Sequence, residues 1–426
     1  MRFVTPLALA LALAVTSGAI TTPAMAQKKE KQQKKGSAPK LNVSPDVIKS
    51  LQVAQAASQK QDFAAAKAAL ADAESKAKSN DDRYQIAAIK LNLSIESKDT
   101  ALQSEAINAM LDSGLTPPEQ AGQLNAIAAE QSLQAKNYDV AIQRAQAAAQ
   151  VGYKPEMTQL VLAQAYFGKA GTNVSAEPGR GLTKQGLTAL KAAADATKAA
   201  GGQVPGNWYQ IGVSRAVAAK LPEINEWATL AYQAAPNGEN LRTLIRLFQQ
   251  SNPNISTREN LDVLRLMSAS GGLVVAGDYT EYAETASRLG IHGEVKTAIE
   301  AGRAKNVLNP SQGGDFYQSS VAKIAGDKGS LGAAESDARK AANGKIAAAT
   351  ADAYLGYGNY AKASELFALA LQKGGVDADE VNTRLGISKA LGGDVAGAKT
   401  AFGAVQAGAR KQIADLWLTY LNSKSA

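Results

Sequence analysis

The stretch Gly358-Asn-Tyr-Ala-Lys-Ala-Ser-Glu-Leu-Phe-Ala-Leu-Ala-Leu371 decides the fold class. It is rich in Ala, Leu, Lys and Glu, which are strong helix formers, and its apolar residues recur three and four positions apart. The Asn at its start can cap a helix by accepting hydrogen bonds from free backbone N–H groups. The stretch therefore predicts a tight turn followed by an amphipathic helix.

The same local pattern occurs at four places in the chain, which indicates an internal repeat. Its first two positions are Asp62-Phe63, Asn137-Tyr138, Asn359-Tyr360 and Asp394-Val395. Counted from the second of these, the residues three, seven and ten positions later are apolar in every copy, and the residue nine positions earlier is Ala or Gly. These offsets keep one helix face apolar, and the small residue lets two helices approach closely. We therefore predict a series of helical hairpins.

These turns and helices resemble those of the tetratricopeptide repeat family, whose helix pairs repeat about every 34 residues. A second fragment, from Trp208 to Pro236, has the family's spacing between its Trp and its terminal Pro. The resemblance implies an all-α fold, namely a right-handed α-solenoid of stacked helix-turn-helix repeats with a concave groove lined by first helices. It also implies that a set of residues faces this groove and contacts a partner: Gln123, Glu130, Gln134, Tyr209, Val213 and Asp352.

Residues 1–26 have the three parts of a secretory signal peptide: a basic start at Arg2, the apolar stretch from Leu7 to Val15, and the small-x-small triplet that ends at Ala26. The apolar stretch is shorter than the roughly 20 residues of a membrane-spanning helix. We therefore expect cleavage after Ala26, export to the periplasm of a bacterium, and no transmembrane segment in the mature chain. Secretion or association with the outer membrane is an alternative location.

The excess positive charge lies in a short segment near the N-terminus. The chain has a formal charge of +8, and six Lys and one Glu give residues 27–40 a charge of +5, so that little remains for the body. Residues 27–45 are predicted to form a disordered linker, whose charged residues include Lys28, Lys29, Lys31, Lys34 and Lys35. These lysines are either a solvated spacer or a tether to anionic lipid or acidic envelope polymer. A nearly neutral body argues against a nucleic-acid partner.

Loop-forming stretches divide the rest of the chain. Ser251–Thr257 and Asn309–Gly314 predict breaks between three segments, which are N-terminal repeats over 46–250, irregular helical repeats over 251–314 and C-terminal repeats over 315–426. The last helix is unusually apolar. We expect its Trp417 and Leu418 to fold back onto the preceding repeat or to contact another chain.

Residues that could support catalysis are few. The chain has no Cys, and His292 is its only histidine, in a stretch that is typical of a turn. Ser320-Val-Ala-Lys323 is similar to a motif of penicillin-interacting serine enzymes, but it lies in a helical context. We therefore predict no enzymatic activity, no metal site and no cofactor.

The sequence favours an interaction scaffold of the cell envelope. We expect the groove to bind another envelope protein or an extended peptide. The alternative is a factor that associates with peptidoglycan or another envelope polymer through its Lys-rich tail.

Overall fold

The computed structural model describes residues 41–424, and in this range the chain forms twenty α-helices and no β-strand. Successive helices pack against each other along most of the chain, so the expected all-α class of repeated helices is confirmed. None of the helices in this range combines the length and apolar composition needed to cross a membrane. The predicted signal peptide and residues 27–40 of the predicted linker lie outside the described residues.

The helices belong to two compact units. The N-terminal unit contains the described residues up to 208 together with 214–221, and the C-terminal unit contains 209–213 and the residues from 222 onward. The helix α9, Gly206–Ala218, contributes residues to both. The other helices of the N-terminal unit are α1 (Pro45–Gln59), α2 (Phe63–Lys76), α3 (Asn80–Ser97), α4 (Thr100–Asp112), α5 (Pro118–Gln134), α6 (Tyr138–Gln150), α7 (Pro155–Ala170) and α8 (Gly179–Ala199).

The C-terminal unit contains one helix that is much longer than the rest, α15. Its helices are α10 (Ile224–Ala234), α11 (Gly238–Ser251), α12 (Thr257–Ala269), α13 (Ala276–Arg288), α14 (His292–Ala304), α15 (Gly314–Lys340), α16 (Lys345–Gly356), α17 (Tyr360–Lys373), α18 (Ala378–Leu391), α19 (Val395–Gly403) and α20 (Gly408–Lys424).

The four repeated turns have the same backbone conformation. At the residue before each second helix, φ is between −81° and −86° and ψ is between 72° and 77°. The carboxylates of Asp62 and Asp394 and the amide of Asn359 each accept a hydrogen bond from the N–H three residues later, at 3.0, 2.8 and 3.3 Å. The residues three and seven positions into each second helix are buried, as is the small residue in each first helix. The predicted hairpins are confirmed at all four turns.

A fifth turn of the same kind precedes α14 and was not recognised from the sequence. Ile291 has the same backbone conformation, with φ −86° and ψ 70°, and His292 is the first residue of the helix. Val295, Ile299 and the earlier Ala283 are buried at the repeat's offsets of three, seven and minus nine. Ile291 cannot accept a capping hydrogen bond, which is why a pattern based on Asp or Asn misses this copy.

The end of the predicted linker is attached to α3. The backbone N–H and the hydroxyl of Ser44 donate to the two carboxylate oxygens of Asp82 at 2.7 and 2.8 Å. Pro45 then begins α1, at a position where a helix has no need of the N–H that proline lacks. Residues 41–45 therefore belong to the folded part of the chain.

The last helix closes the C-terminal unit. Trp417 is completely buried and stacks on Phe402, with ring centroids 5.7 Å apart. Its indole N–H donates to the carbonyl of Asp262 at 3.3 Å, and the hydroxyl of Tyr420 donates to the carbonyl of Ala269 at 2.8 Å. The expectation that Trp417 and Leu418 fold back onto the preceding repeat is therefore confirmed, since Leu418 also packs against this core, and α20 contacts α12 as well as α19.

Two glycines of the C-terminal unit provide a matched test of the helix packing. A Cβ on Gly386 would lie 2.6 Å from the Phe402 ring, whereas a Cβ on Gly326, in α15, would meet nothing within 4 Å. We expect Gly386→Ala to lower the free energy of unfolding by about 1–3 kcal/mol through overpacking. Gly326→Ala should raise it by about 0.5–1 kcal/mol because Ala favours an exposed helix. Urea unfolding followed by circular dichroism measures both, and equal effects would contradict the packing.

Candidate binding site on helix α5

Three of the predicted groove residues share one face of α5, because they are seven and four residues apart. Gln123 and Glu130 are half-buried and Gln134 is exposed. On the opposite side of the helix, Leu124 and Ala128 are buried in the core. We call the surface formed by Gln123, Glu130 and Gln134 the α5 face.

A small pocket opens beside the α5 face, where α5 packs against α6 and α7. Its volume is about 20 Å³, enough for one or two methyl groups. Most of the side chains around it are apolar. The pocket is lined by Ala126, Ala129, Glu130, Ala145, Tyr153, Lys154, Met157, Thr158 and Val161. It therefore suits one small apolar side chain.

Glu130 is the acidic group of this pocket, and it lacks a partner. Within residues 41–424, no group forms a hydrogen bond or an ion pair with its carboxylate. Lys154 also lines the pocket, but its ammonium lies over the ring of Tyr153, 5.8 Å from the centroid. Partial burial raises the pKa of Glu130 above its ordinary value, because desolvation disfavours the charged form. A cation placed here would relieve that cost.

The structure places the other predicted groove residues in the C-terminal unit. Tyr209 is only 3% exposed, and its ring packs at a tilt on Trp227, with centroids 6.4 Å apart. Val213, one turn further along α9, is half-buried. Asp352 is bonded to Arg384 at 2.8 Å, with 14% of its side chain exposed. These three residues therefore belong to a different unit from the α5 face, and Tyr209 and Asp352 are engaged within that unit.

Asp352 belongs to a cluster of four carboxylates and four guanidinium groups around α12, which we call the Asp262 cluster. Asp262 is completely buried and is bonded to three arginines. The distances are 2.7 Å to Arg265 Nη1 and 3.3 Å to Arg384 Nε, and Arg410 Nη1 bonds the same carboxylate. The remaining members are Arg258, Glu294, Asp352 and Glu380. The four negative carboxylates are matched by four positive guanidinium groups, which compensate the charges that are buried.

The two aspartates of the Asp262 cluster differ in their electrostatic environment. Burial alone would raise the pKa of Asp262, but Arg384, Arg410 and Arg265 outweigh it and hold the pKa below its usual value. Burial also dominates at Asp352, and there the arginines do not compensate, so its pKa is raised. The charged form of Asp262 therefore stabilises the folded protein, whereas the charge of Asp352 is a cost.

The Asp262 cluster was not predicted from the sequence, although the sequence of α12 contains a pattern that indicates buried charges. Residues 261–267 are seven consecutive buried residues, so this helix is enclosed on all sides. Its sequence there is Leu-Asp-Val-Leu-Arg-Leu-Met, in which two charged residues interrupt a continuous apolar run. Charged groups in such a run need buried partners.

His292, Ser320 and Asp327 come together in the C-terminal unit. His292 Nδ1 lies 3.2 Å from Ser320 Oγ, and Nε2 lies 4.0 Å from an oxygen of Asp327. Ser320 is 1% exposed, so its hydroxyl is not accessible to a substrate. The contacts attach α15 to α14. Within the described residues, no three His, Asp or Glu side chains are arranged to hold a metal ion.

The pKa is lowered at Asp262 and raised at Asp352, and this difference can be tested through the free energy of unfolding. Because the folded pKa of Asp262 is lowered, its contribution is present above about pH 4 and is lost as the pH falls through the folded pKa. We expect Asp262→Asn to cost about 3–5 kcal/mol at neutral pH, since three arginines lose their shared partner. Asp352→Asn should cost less than about 1.5 kcal/mol, because it also removes an unfavourable charge. Chemical denaturation tests this, and equal losses would contradict it.

The raised pKa of Glu130 gives a test of the α5 face. The folded protein binds a proton at Glu130 more readily than the unfolded chain does, so wild-type stability falls as the pH rises through the folded pKa. Glu130→Gln should raise the melting temperature at neutral pH by about 1–2 °C, with a smaller gain at acid pH. Glu119→Gln is the control, since Glu119 is exposed in the first turn of α5, where a negative charge is favourable. A loss of stability in Glu130→Gln would show that the carboxylate has a structural partner.

Comparison with known proteins returned no family model that matches the chain and no curated protein that matches its sequence.

Proposed function

We propose that the protein is an interaction scaffold whose N-terminal unit binds an extended segment of a partner polypeptide along the α5 face. The observation that carries this proposal is the unpartnered carboxylate of Glu130 beside a small apolar pocket. Elsewhere in the same unit, the buried carboxylate of Asp82 has partners in Ser44 and Ser79. A group that costs stability without a structural role is typical of a functional surface.

The groups that line the site indicate which side chains a partner segment must have. The pocket has room for a small apolar side chain such as Val, and Glu130 at its edge is complementary to a basic side chain on the next residue. A hydrogen bond between this carboxylate and Arg or Lys would contribute about 1–3 kcal/mol. Gln123 and Gln134 lie on either side and can bond the partner's main chain.

The proposal includes a repeat class and a location, both of which rest on the sequence alone. The helical hairpins resemble tetratricopeptide repeats, which implies a right-handed solenoid with the α5 face in its groove. Residues 1–26 favour export to the periplasm, where the partner would be another envelope protein. Attachment to anionic envelope polymer through the lysines from Lys28 to Lys35 is the alternative, and it stays a prediction because these residues lie outside the described range.

Three synthetic peptides test the proposal. Each is a decapeptide of Gly and Ser with a different central pair, namely Val-Arg, Val-Gln or Gly-Arg. We expect the Val-Arg peptide to bind tightest by isothermal titration calorimetry, and each single replacement to weaken binding about fivefold to tenfold. Both the pocket and the carboxylate contribute in the Val-Arg peptide, whereas each of the others loses one contribution.

Glu130→Gln separates the two contributions. This variant should bind the Val-Arg and Val-Gln peptides equally, because the partner's charge no longer has a complement. Glu119→Gln should retain the wild-type preference, since Glu119 is exposed and is not among the residues that line the pocket. If wild type shows no preference for Val-Arg, or if Glu130→Gln keeps it, the α5 face is not the binding site.

A further inference from the structure

The described part of the chain begins beside α5. Its first residue, Leu41, packs against the apolar cluster that α3, α4 and α5 form together. The backbone N–H of Asn42 then donates to the carboxylate of Asp81, in the first turn of α3, at 2.7 Å. Residues 27–40 are therefore joined to the fold at a point close to α5.

The N-terminal end of α5 lies near the same point. Burial and, to a smaller extent, the negative charge of Glu119 raise the pKa of Tyr84 in α3. A single charge has such an effect only over a short distance, so the first turn of α5, which contains Glu119, lies close to the start of α3.

Two carboxylates of α5 have no hydrogen-bond or ion-pair partner within residues 41–424. They belong to Glu119, which is exposed, and to the half-buried Glu130. Eleven residues separate the two, or about three helical turns, so both point to the same side of α5 as Gln123. The helix contains no Lys, Arg or His. It therefore presents two negative charges on its outward side and no positive charge of its own.

The sequence before Leu41 carries the complementary charge at a matching spacing. Lys35 and Lys40 are five residues apart, which is about 16–17 Å in an extended chain. Eleven residues of helix separate Glu119 from Glu130, and this is also about 16–17 Å. The proline at position 39 favours an extended conformation of the residue before it.

We propose that residues 35–40 of this chain, the basic segment, lie along the α5 face and place Lys40 at Glu119 and Lys35 at Glu130. Lys40 directly precedes Leu41 and so belongs at the nearer glutamate, and the extended segment then reaches the farther one. The residues between the two lysines, Gly-Ser-Ala-Pro, have small side chains that let the segment lie close to the helix. Exposed ion pairs are weak, so the segment should leave the α5 face readily.

The basic segment would regulate binding at the α5 face, and this part of the inference rests on the proposed function. A partner that pairs with Glu130 must displace Lys35. If the segment is docked in about four molecules of five, the apparent affinity for the partner is about fivefold lower than that of the free face. A partner whose apolar side chain also fills the pocket has an advantage that the basic segment lacks.

Disulfide formation tests the contact itself, without any partner. The chain has no Cys, so the chain from Gln27 onward can carry one engineered pair. In the proposed register Ala38 lies opposite Gln123. We expect Ala38→Cys/Gln123→Cys to form its disulfide at least fivefold faster under mild oxidation than the control Ala38→Cys/Gln52→Cys, as measured by the loss of free thiols. Gln52 is exposed in α1, within reach of the same segment. Equal rates would overturn the proposal.

The dependence on charge tests the register. In the first cysteine variant, Lys35→Ser/Lys40→Ser should slow disulfide formation at least threefold, because both ion pairs are lost. Lys28→Ser/Lys29→Ser removes the same charge outside the basic segment and should change the rate little. Equal effects of the two double replacements, or no effect of the first, would overturn the pairing of Lys35 and Lys40 with the two glutamates.

The three decapeptides then test the regulation. Lys35→Ser/Lys40→Ser should bind the Val-Arg peptide about fivefold tighter than wild type. Glu119→Gln should tighten all three peptides by one common factor and so keep their order of affinity. Lys35→Ser/Lys40→Ser should also enlarge the gain in melting temperature expected for Glu130→Gln, since no lysine then compensates the carboxylate.

The two proposals can fail separately. Fast disulfide formation without binding of any peptide would retain the docked segment and refute the scaffold function. Peptide binding that Lys35→Ser/Lys40→Ser leaves unchanged would retain the scaffold and overturn its regulation by the basic segment.

Discussion

The close approach of paired helices at a small residue beneath an aromatic ring is the constraint on which this structure depends. Gly386 lies under Phe402, Gly212 under Trp227 and Gly186 under Phe167, and a Cβ at any of them would lie 2.0 to 2.6 Å from the ring. At each of these contacts one helix contributes only its backbone, so the aromatic ring of the other helix fills the space between them. We call these contacts the helix seams. Helix faces that point away from a seam, such as the α5 face, are then free to carry polar residues and small pockets.

The same constraint explains how much of the fold could be predicted from the sequence. The small residue, the turn and the residues of the second helix have fixed offsets within one hairpin, so four copies can be recognised from local sequence. The copy at Ile291 has the buried residues but not the capping side chain, and it was missed. The Asp262 cluster could not be predicted, since Arg384 and Arg410 lie 122 and 148 residues from Asp262 in the sequence. No local pattern connects them.

The candidate site was predictable only in part, and for a related reason. The position of Glu130 on an outward face follows from its spacing within α5 and from the resemblance to known repeats. Its lack of a partner and the apolar pocket beside it depend on Met157 and Val161 of α7, which the sequence alone does not place. Tyr209 illustrates the converse. Its register matched a groove position, but Trp227 of α10 packs against it and buries the ring.

Because packing between neighbouring hairpins stabilises the fold, the free energy of local unfolding must differ between the helices of the C-terminal unit. Residues 261–267 of α12 are all buried. Helix α15, in contrast, is mostly exposed, and a Cβ on Gly326, Gly329 or Gly332 would meet nothing within 4 Å. Hydrogen–deuterium exchange with mass spectrometry measures this distribution directly. The amides of residues 261–267 should exchange slowest in the unit, and those of 326–332 should be the fastest among its helices. Protection of 326–332 equal to that of 261–267 would contradict the account.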